Sequence, residues 1–80
     1  MMTTPEIYNL ANEMTEQEVL NVIGQWERDN ETKSIETYNN LVRLGDSMQL
    51  ACASVIADKI NRPWMFDGSA DSFYRYAYES

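Results

Sequence analysis

At Gly45-Asp46-Ser47 a stop signal and a start signal for helix stand back to back, and this triplet limits the fold more than any other stretch. Gly45 opens backbone angles closed to other residues, so the chain can turn sharply there. Asp46 is then a good N-cap, its carboxylate accepting an orphan N–H of the first turn. That leaves Ser47 at the first helical position with its hydroxyl facing solvent. Free N–H groups and the positive end of the helix dipole make such a position favourable for an esterified phosphate. From Ser47 to Asn61 the pattern is helical, with Met48, Ala51, Cys52, Val55, Ile56 and Ile60 inward. Small residues from Ala51 to Ser54 permit a neighbouring helix to approach closely, and Arg62-Pro63 ends the run.

Two further helices are written before the triplet. Thr4-Pro5-Glu6-Ile7 reads as a start, with Thr4 as cap and Pro5 at the first position, followed by Ile7, Leu10, Ala11 and Met14 at helical spacing. This short helix either packs across the bundle or serves as a docking element. Thr15-Glu16-Gln17-Glu18 is a capping box, after which Val19, Val22, Ile23 and Trp26 make an apolar face widened by Leu20. Gly24 weakens that helix by about 1 kcal/mol against Ala, a cost that close packing would justify. The run Glu27-Arg28-Asp29-Asn30 ends it.

Residues 30–46 admit two readings. One is a long ordered loop pinned by Ile35, Tyr38, Leu41, Val42 and Leu44, a length that usually accompanies function. The other is a single helix over 32–61 with Gly45 inside it, because Tyr38, Leu41, Gly45, Met48, Cys52, Val55 and Lys59 follow a seven-residue repeat. The stop-and-restart triplet favours the loop. After Pro63, Trp64, Met65 and Phe66 form an apolar knot expected to cover the bundle as a short helix or turn, and Asp67-Gly68 marks a turn. Ser69 or Asp71 is suited to cap a last helix with Phe73, Tyr76 and Ala77 inward. Tyr74 and Tyr78 then form an outward pair, or lie with rings partly buried and hydroxyls wet. Alternation through Tyr74, Tyr76 and Tyr78 also suits a strand, for which the chain offers no partner.

Leu44-Gly45-Asp46-Ser47-Met48 resembles the signature of the acyl and peptidyl carrier proteins, a Leu-Gly-x-Asp-Ser-Leu-like run, shortened here by one residue. Ile35-Glu36 ahead of Leu41-Val42-Arg43-Leu44-Gly45 is similar to that family's loop pattern, and Phe66-Asp67 to the Phe-acidic pair opening its last segment. The resemblance spans roughly residues 17–78. It implies an all-α, four-helix carrier-type bundle over 15–80, with residues 1–14 as an N-terminal helical extension. It implies 4'-phosphopantetheine attached to Ser47, with Gly45 and Asp46 positioning the site and Met48 and Leu44 bordering the arm. The acyl or aminoacyl cargo would be held as a thioester. The implied partners are a phosphopantetheinyl transferase and biosynthetic enzymes with basic docking surfaces. Only Asp58 is acidic within the helix after Ser47, which places the resemblance nearer peptidyl and modular polyketide carriers than the very acidic fatty-acid type.

Composition narrows what remains. Eighty residues make one domain, and 44% hydrophobic residues are too many for a disordered tail. A single Cys forms no internal disulfide and fits a reducing compartment. Without an evident signal peptide or an apolar run long enough for a membrane helix, the expectation is a cytoplasmic monomer. The sequon Asn30-Glu31-Thr32 is then chance. With no His, Ser-His and Cys-His nucleophile pairs and thiolate-imidazole metal sites cannot be assembled, so no autonomous catalysis is expected. The net charge of −7 lies mostly in residues 1–27, which hold Glu6, Glu13, Glu16, Glu18 and Glu27 and no base. Such a surface repels nucleic acid and attracts basic protein, and it also keeps a chain soluble. A second function class therefore stands beside the carrier: a small acidic helical interaction protein, of the kind phages use as inhibitors, covering a basic surface of a nucleic-acid enzyme. A helical homodimer along the seven-residue repeat is a third.

Overall fold

In the computed structural model, which describes residues 1–66, four helices follow one another through short turns. They are α1 (Thr4–Glu13), α2 (Glu16–Arg28), α3 (Thr32–Arg43) and α4 (Met48–Asn61), with a 3-10 turn over Pro63–Met65. The fold is an all-α four-helix bundle. The readings made for Asp67, Gly68, Ser69, Asp71, Phe73, Tyr74, Tyr76, Ala77 and Tyr78 lie outside the described residues.

α4 is the central element and packs against the other three helices and the 3-10 turn. Its inward residues accordingly cover nearly its whole circumference: Ala51, Cys52, Ala53, Val55, Ile56, Ala57 and Lys59 are all buried. Three alanines among them keep it thin enough to be surrounded. α1 runs back along α4 in the opposite sense. At one end the Met2 N–H donates to Asn61 Oδ1 (2.8 Å) and Asn61 Nδ2 donates to the Met2 carbonyl (3.0 Å). At the other, Met14 and Ala11 lie beside Ser47 and Leu50. α1 is thus one of the four helices of the bundle, with Ala11 buried and Leu10 and Met14 packed on the core.

α2 begins with the capping box read from sequence: the Glu18 N–H donates to Thr15 Oγ1 (3.1 Å) and the Thr15 N–H to Glu18 Oε1 (3.0 Å). Val19, Val22 and Trp26 are buried and Ile23 packs against them. Leu20, expected to widen that face, is exposed instead, because none of the described elements covers that side of α2. The cap of α1 is Thr3 rather than Thr4. Glu6 accepts from the Thr3 N–H and hydroxyl, and this sets the start one residue earlier.

Neither reading of residues 30–46 survives. Residues 32–43 are helical, so there is no long loop, and the chain turns between α3 and α4, so there is no single rod. Ser34, Ile35, Tyr38 and Leu41 recur at helical spacing and all face inward. Gly45 (φ +112°) ends α3 through a paired closure, its N–H donating to the Val42 carbonyl (3.0 Å) and that of Asp46 to Leu41 (3.1 Å). α2 ends the same way. Asn30 (φ +57°) donates to Glu27 (3.2 Å) and Glu31 to Trp26 (2.8 Å). The seven-residue repeat is real but folded over on itself: Tyr38 and Leu41 face Met48, Cys52 and Val55 across the α3–α4 hairpin.

Candidate functional site

The start of α4 places Ser47 one position away from where the sequence put it. The Asp46 N–H donates to the Leu41 carbonyl in closing α3, and α4 begins only at Met48, one residue later than the sequence reading puts it. Ser47 becomes the N-cap, extended (φ −64°, ψ 158°), with Oγ accepting from the Leu50 N–H at 3.1 Å. The hydroxyl remains exposed and keeps its own proton to donate, but one of its lone pairs is committed to the helix. Asp46 is half-buried, Gly45 is exposed with open space around its Cα, and Met48 turns inward against the core. Of the residues expected to border Ser47, Leu44 is 83% exposed and Met48 faces away from it.

Beside Ser47 lies an open groove of about 360 Å³ between α1 and α4, walled by Tyr8, Asn12 and Met14 on one side and by Ser47, Gln49 and Leu50 on the other. At this end of the bundle α1 and α3 finish while α2 and α4 begin. Their opposed dipole ends offset one another, leaving side chains to set the local potential. Glu13 and Glu16 flank Met14 in the chain, Asp46 precedes Ser47, and Arg43 is the nearby base, bonded to Asn40 Oδ1 (3.3 Å).

A second polar cluster, unforeseen from sequence, sits at the opposite end of α4. Lys59 and Glu31 form a buried ion pair, and the ammonium lies 5.3 Å from the Trp26 ring centroid and 6.0 Å from that of Phe66. Burial holds the Lys59 pKa below its ordinary value, opposed by the hydrogen bond and charge of Glu31 and by the charge of Asp29. Trp26 Nε1, Glu31 Oε2 and Ser34 Oγ are buried here without a hydrogen-bond partner among the described residues. The one sequence signal was Lys59 standing at an apolar position of the repeat. Glu31 gave none, since it follows a helix-ending Asn and looks like a surface residue. Trp26, Glu31, Ser34 and Lys59 are each at most 2% exposed, so the cluster is closed to any substrate and acts as a fastening between α2, α3 and α4.

Cys52, midway along α4, is fully buried, and burial pushes its thiol up to about 12. It is unreactive as a nucleophile in the folded chain. Trp64, expected to cover the bundle, is 75% exposed, and Met65 is exposed with it; only Phe66 of that trio packs on the core. Among the described residues no helix is long and apolar enough to cross a membrane. No model of a known protein family matches the chain, and neither curated proteins nor solved structures provide a match.

Proposed function

We propose that this protein is a small acidic interaction module that docks on a basic protein surface of the kind enzymes use to hold nucleic acid. One observation carries the reading. Glu13, Glu16 and Glu27 on α1 and α2 are exposed, their carboxylates enter no hydrogen bond or ion pair among the described residues, and no base accompanies them in residues 1–27. Of the bases between residues 28 and 62, Lys59 is paired with Glu31 and Arg62 with Asp58 (2.5 Å), so only Arg28, Lys33 and Arg43 are left to offset these acids, and they do so in part. Unpaired carboxylates on rigid helices impose a persistent negative potential. This steers encounter with a basic partner and weakens as salt shortens the Debye length to about 8 Å at physiological ionic strength.

The test is binding of the purified chain to candidate nucleic-acid enzymes with and without duplex DNA. Complexes should form at low salt, weaken as salt rises and be displaced by DNA. The triple variant Glu13→Gln, Glu16→Gln, Glu27→Gln should bind several-fold less. Binding that ignores both salt and the triple variant overturns the proposal.

Exposure of the Ser47 hydroxyl at the start of a fourteen-residue helix supports a second reading, the carrier with 4'-phosphopantetheine on Ser47. It ranks below the first because α3 stands where that family's loop was expected and because Ser47 Oγ caps its own helix. Intact mass after coexpression with a permissive phosphopantetheinyl transferase decides it. A gain of one phosphopantetheine that Ser47→Ala abolishes supports the carrier, and an unchanged mass removes it.

A further inference from the structure

The acidic reading leaves open where on the molecule a partner is seated, and the groove between α1 and α4 answers that. Resting on that reading, we infer that this groove receives a bulky apolar side chain from a basic segment of the partner, while the acids at the same end of the bundle hold the flanking cations. Three observations converge on this end of the bundle.

The first is shape. The groove is open along its length, so it does not enclose a small molecule in the way a ligand pocket does, yet its 360 Å³ suffices for an anchoring side chain. The second is apolar surface left exposed at this end of the bundle. Tyr8, which lines the groove, is 53% exposed, and Leu44, three residues ahead of Ser47, is 83% exposed. A tyrosine of this kind supplies contact area at little entropic cost and is favoured at interfaces.

The third is charge. With the helix dipoles offset, Glu13, Glu16 and Asp46 outnumber Arg43 at this end. A second copy of the chain would bring its own net charge of −7 against these acids and be repelled. A segment carrying Lys or Arg on either side of an aromatic or aliphatic residue matches the acids at this end of the bundle and the Tyr8, Ala11, Met14 and Leu50 side chains that share the groove wall with Asn12, Ser47 and Gln49.

The probe is a synthetic amphipathic helix of about fourteen residues, roughly four turns, with Lys on one face and Leu plus one Trp on the other. It is titrated into the ¹⁵N-labelled full chain at low and physiological salt. The largest amide shifts are expected at Tyr8 to Asn12 and Ser47 to Leu50. Tyr8→Ala, which removes an exposed wall, and Asn12→Trp, which fills the groove, should each weaken binding about five-fold or more, equivalent to an anchor worth about 1 kcal/mol. Leu20→Ala, an exposed apolar residue on α2, should leave affinity unchanged. Salt-sensitive binding with shifts confined to α2 and no effect of the groove variants overturns the groove assignment and leaves the acidic reading standing. Absence of binding at low salt overturns both. Shifts that grow with protein concentration before peptide is added assign the groove to self-association and overturn the inference.

Discussion

Two turns in this molecule share a backbone and differ in almost everything else. At Asn30 and again at Gly45 a helix closes by the same pair of reverse hydrogen bonds around a residue of positive φ. After Asn30 the chain dives inward, and Glu31 is buried against Lys59 under the Trp26 ring. After Gly45 it stays at the surface, where Asp46 is half-buried and Ser47 exposed. The local motif therefore dictates how a helix ends and not where the next one goes. That is decided by what the preceding helix presents. Trp26 and Lys59 give Glu31 a covered cation to approach, whereas the start of α4 offers Ser47 only its own backbone N–H and solvent.

Removing the charge from the inward turn should have the largest effect. Glu31→Gln leaves the Lys59 cation buried against an amide, and breaking such a pair costs about 3–5 kcal/mol. That is a large part of the roughly 4–12 kcal/mol expected for a chain of this size, so the urea midpoint should fall sharply. The double variant Glu31→Leu, Lys59→Met should recover most of the loss, because a buried pair is usually replaceable by apolar residues. If the double variant is no better than Glu31→Gln, the pair is more than a fastening.

At the outward turn the effects shrink. Gly45→Ala meets no atom of the described residues but must adopt a left-handed φ, at a cost of about 1–2 kcal/mol, while Asn30→Gly at the inward turn should change stability by only a few tenths. Equal effects at the two positions would mean that the neighbourhood, not φ, sets the penalty.

Cys52 lies between the two ends and tests them through pH. Its folded pKa is raised, so its contribution to stability is complete below about 9 and disappears as pH rises toward about 12. Lys59, depressed in the fold, acts oppositely, gaining stability as pH rises through its lowered folded pKa toward the unfolded value. Comparing wild type with Cys52→Ala cancels the Lys59 contribution. By pH 10 the wild type should have lost about 1 kcal/mol more than the variant, relative to pH 7. Parallel pH profiles would place the thiol in contact with water.

The smallest effects belong to helix ends and surfaces. Ser47→Ala should cost about 1 kcal/mol through the lost cap, readable in chemical denaturation whether or not Ser47 carries any modification. Gly24→Ala should stabilise by up to about 1 kcal/mol. Among the described residues a Cβ there would meet only the tip of Arg28 at 3.5 Å, so no close contact with a described helix requires glycine, contrary to the reason first assigned to it.

Much of the bundle was legible. The capping box at Thr15 and Glu18, the apolar face through Val19, Val22 and Trp26, and the inward side of α4 are patterns whose physics is local. Residues 32–43 are helical only in the less favoured single-helix reading of 32–61; although Ser34, Ile35, Tyr38 and Leu41 carry a helical period, polar residues such as Thr37, Asn39 and Asn40 dilute it, and the stop-and-restart triplet favours a loop. The site was read one residue out of register. Asp46 and Ser47 are both competent caps, and the Gly45 turn that closes α3 takes in Asp46, so that α4 starts behind Ser47.

The helix breaks at Gly45 and before Thr15, the all-helical class and the acidic face of residues 1–27 were determined by sequence alone, since each depends on residues within a turn or two of one another. Tertiary structure decided that Lys59 and Glu31 meet, that Leu20, Leu44 and Trp64 stay in solvent, and that α1 leaves a groove against α4. These depend on which faces pack across the chain, and side-chain spacing along a single helix carries no information about what will cover it.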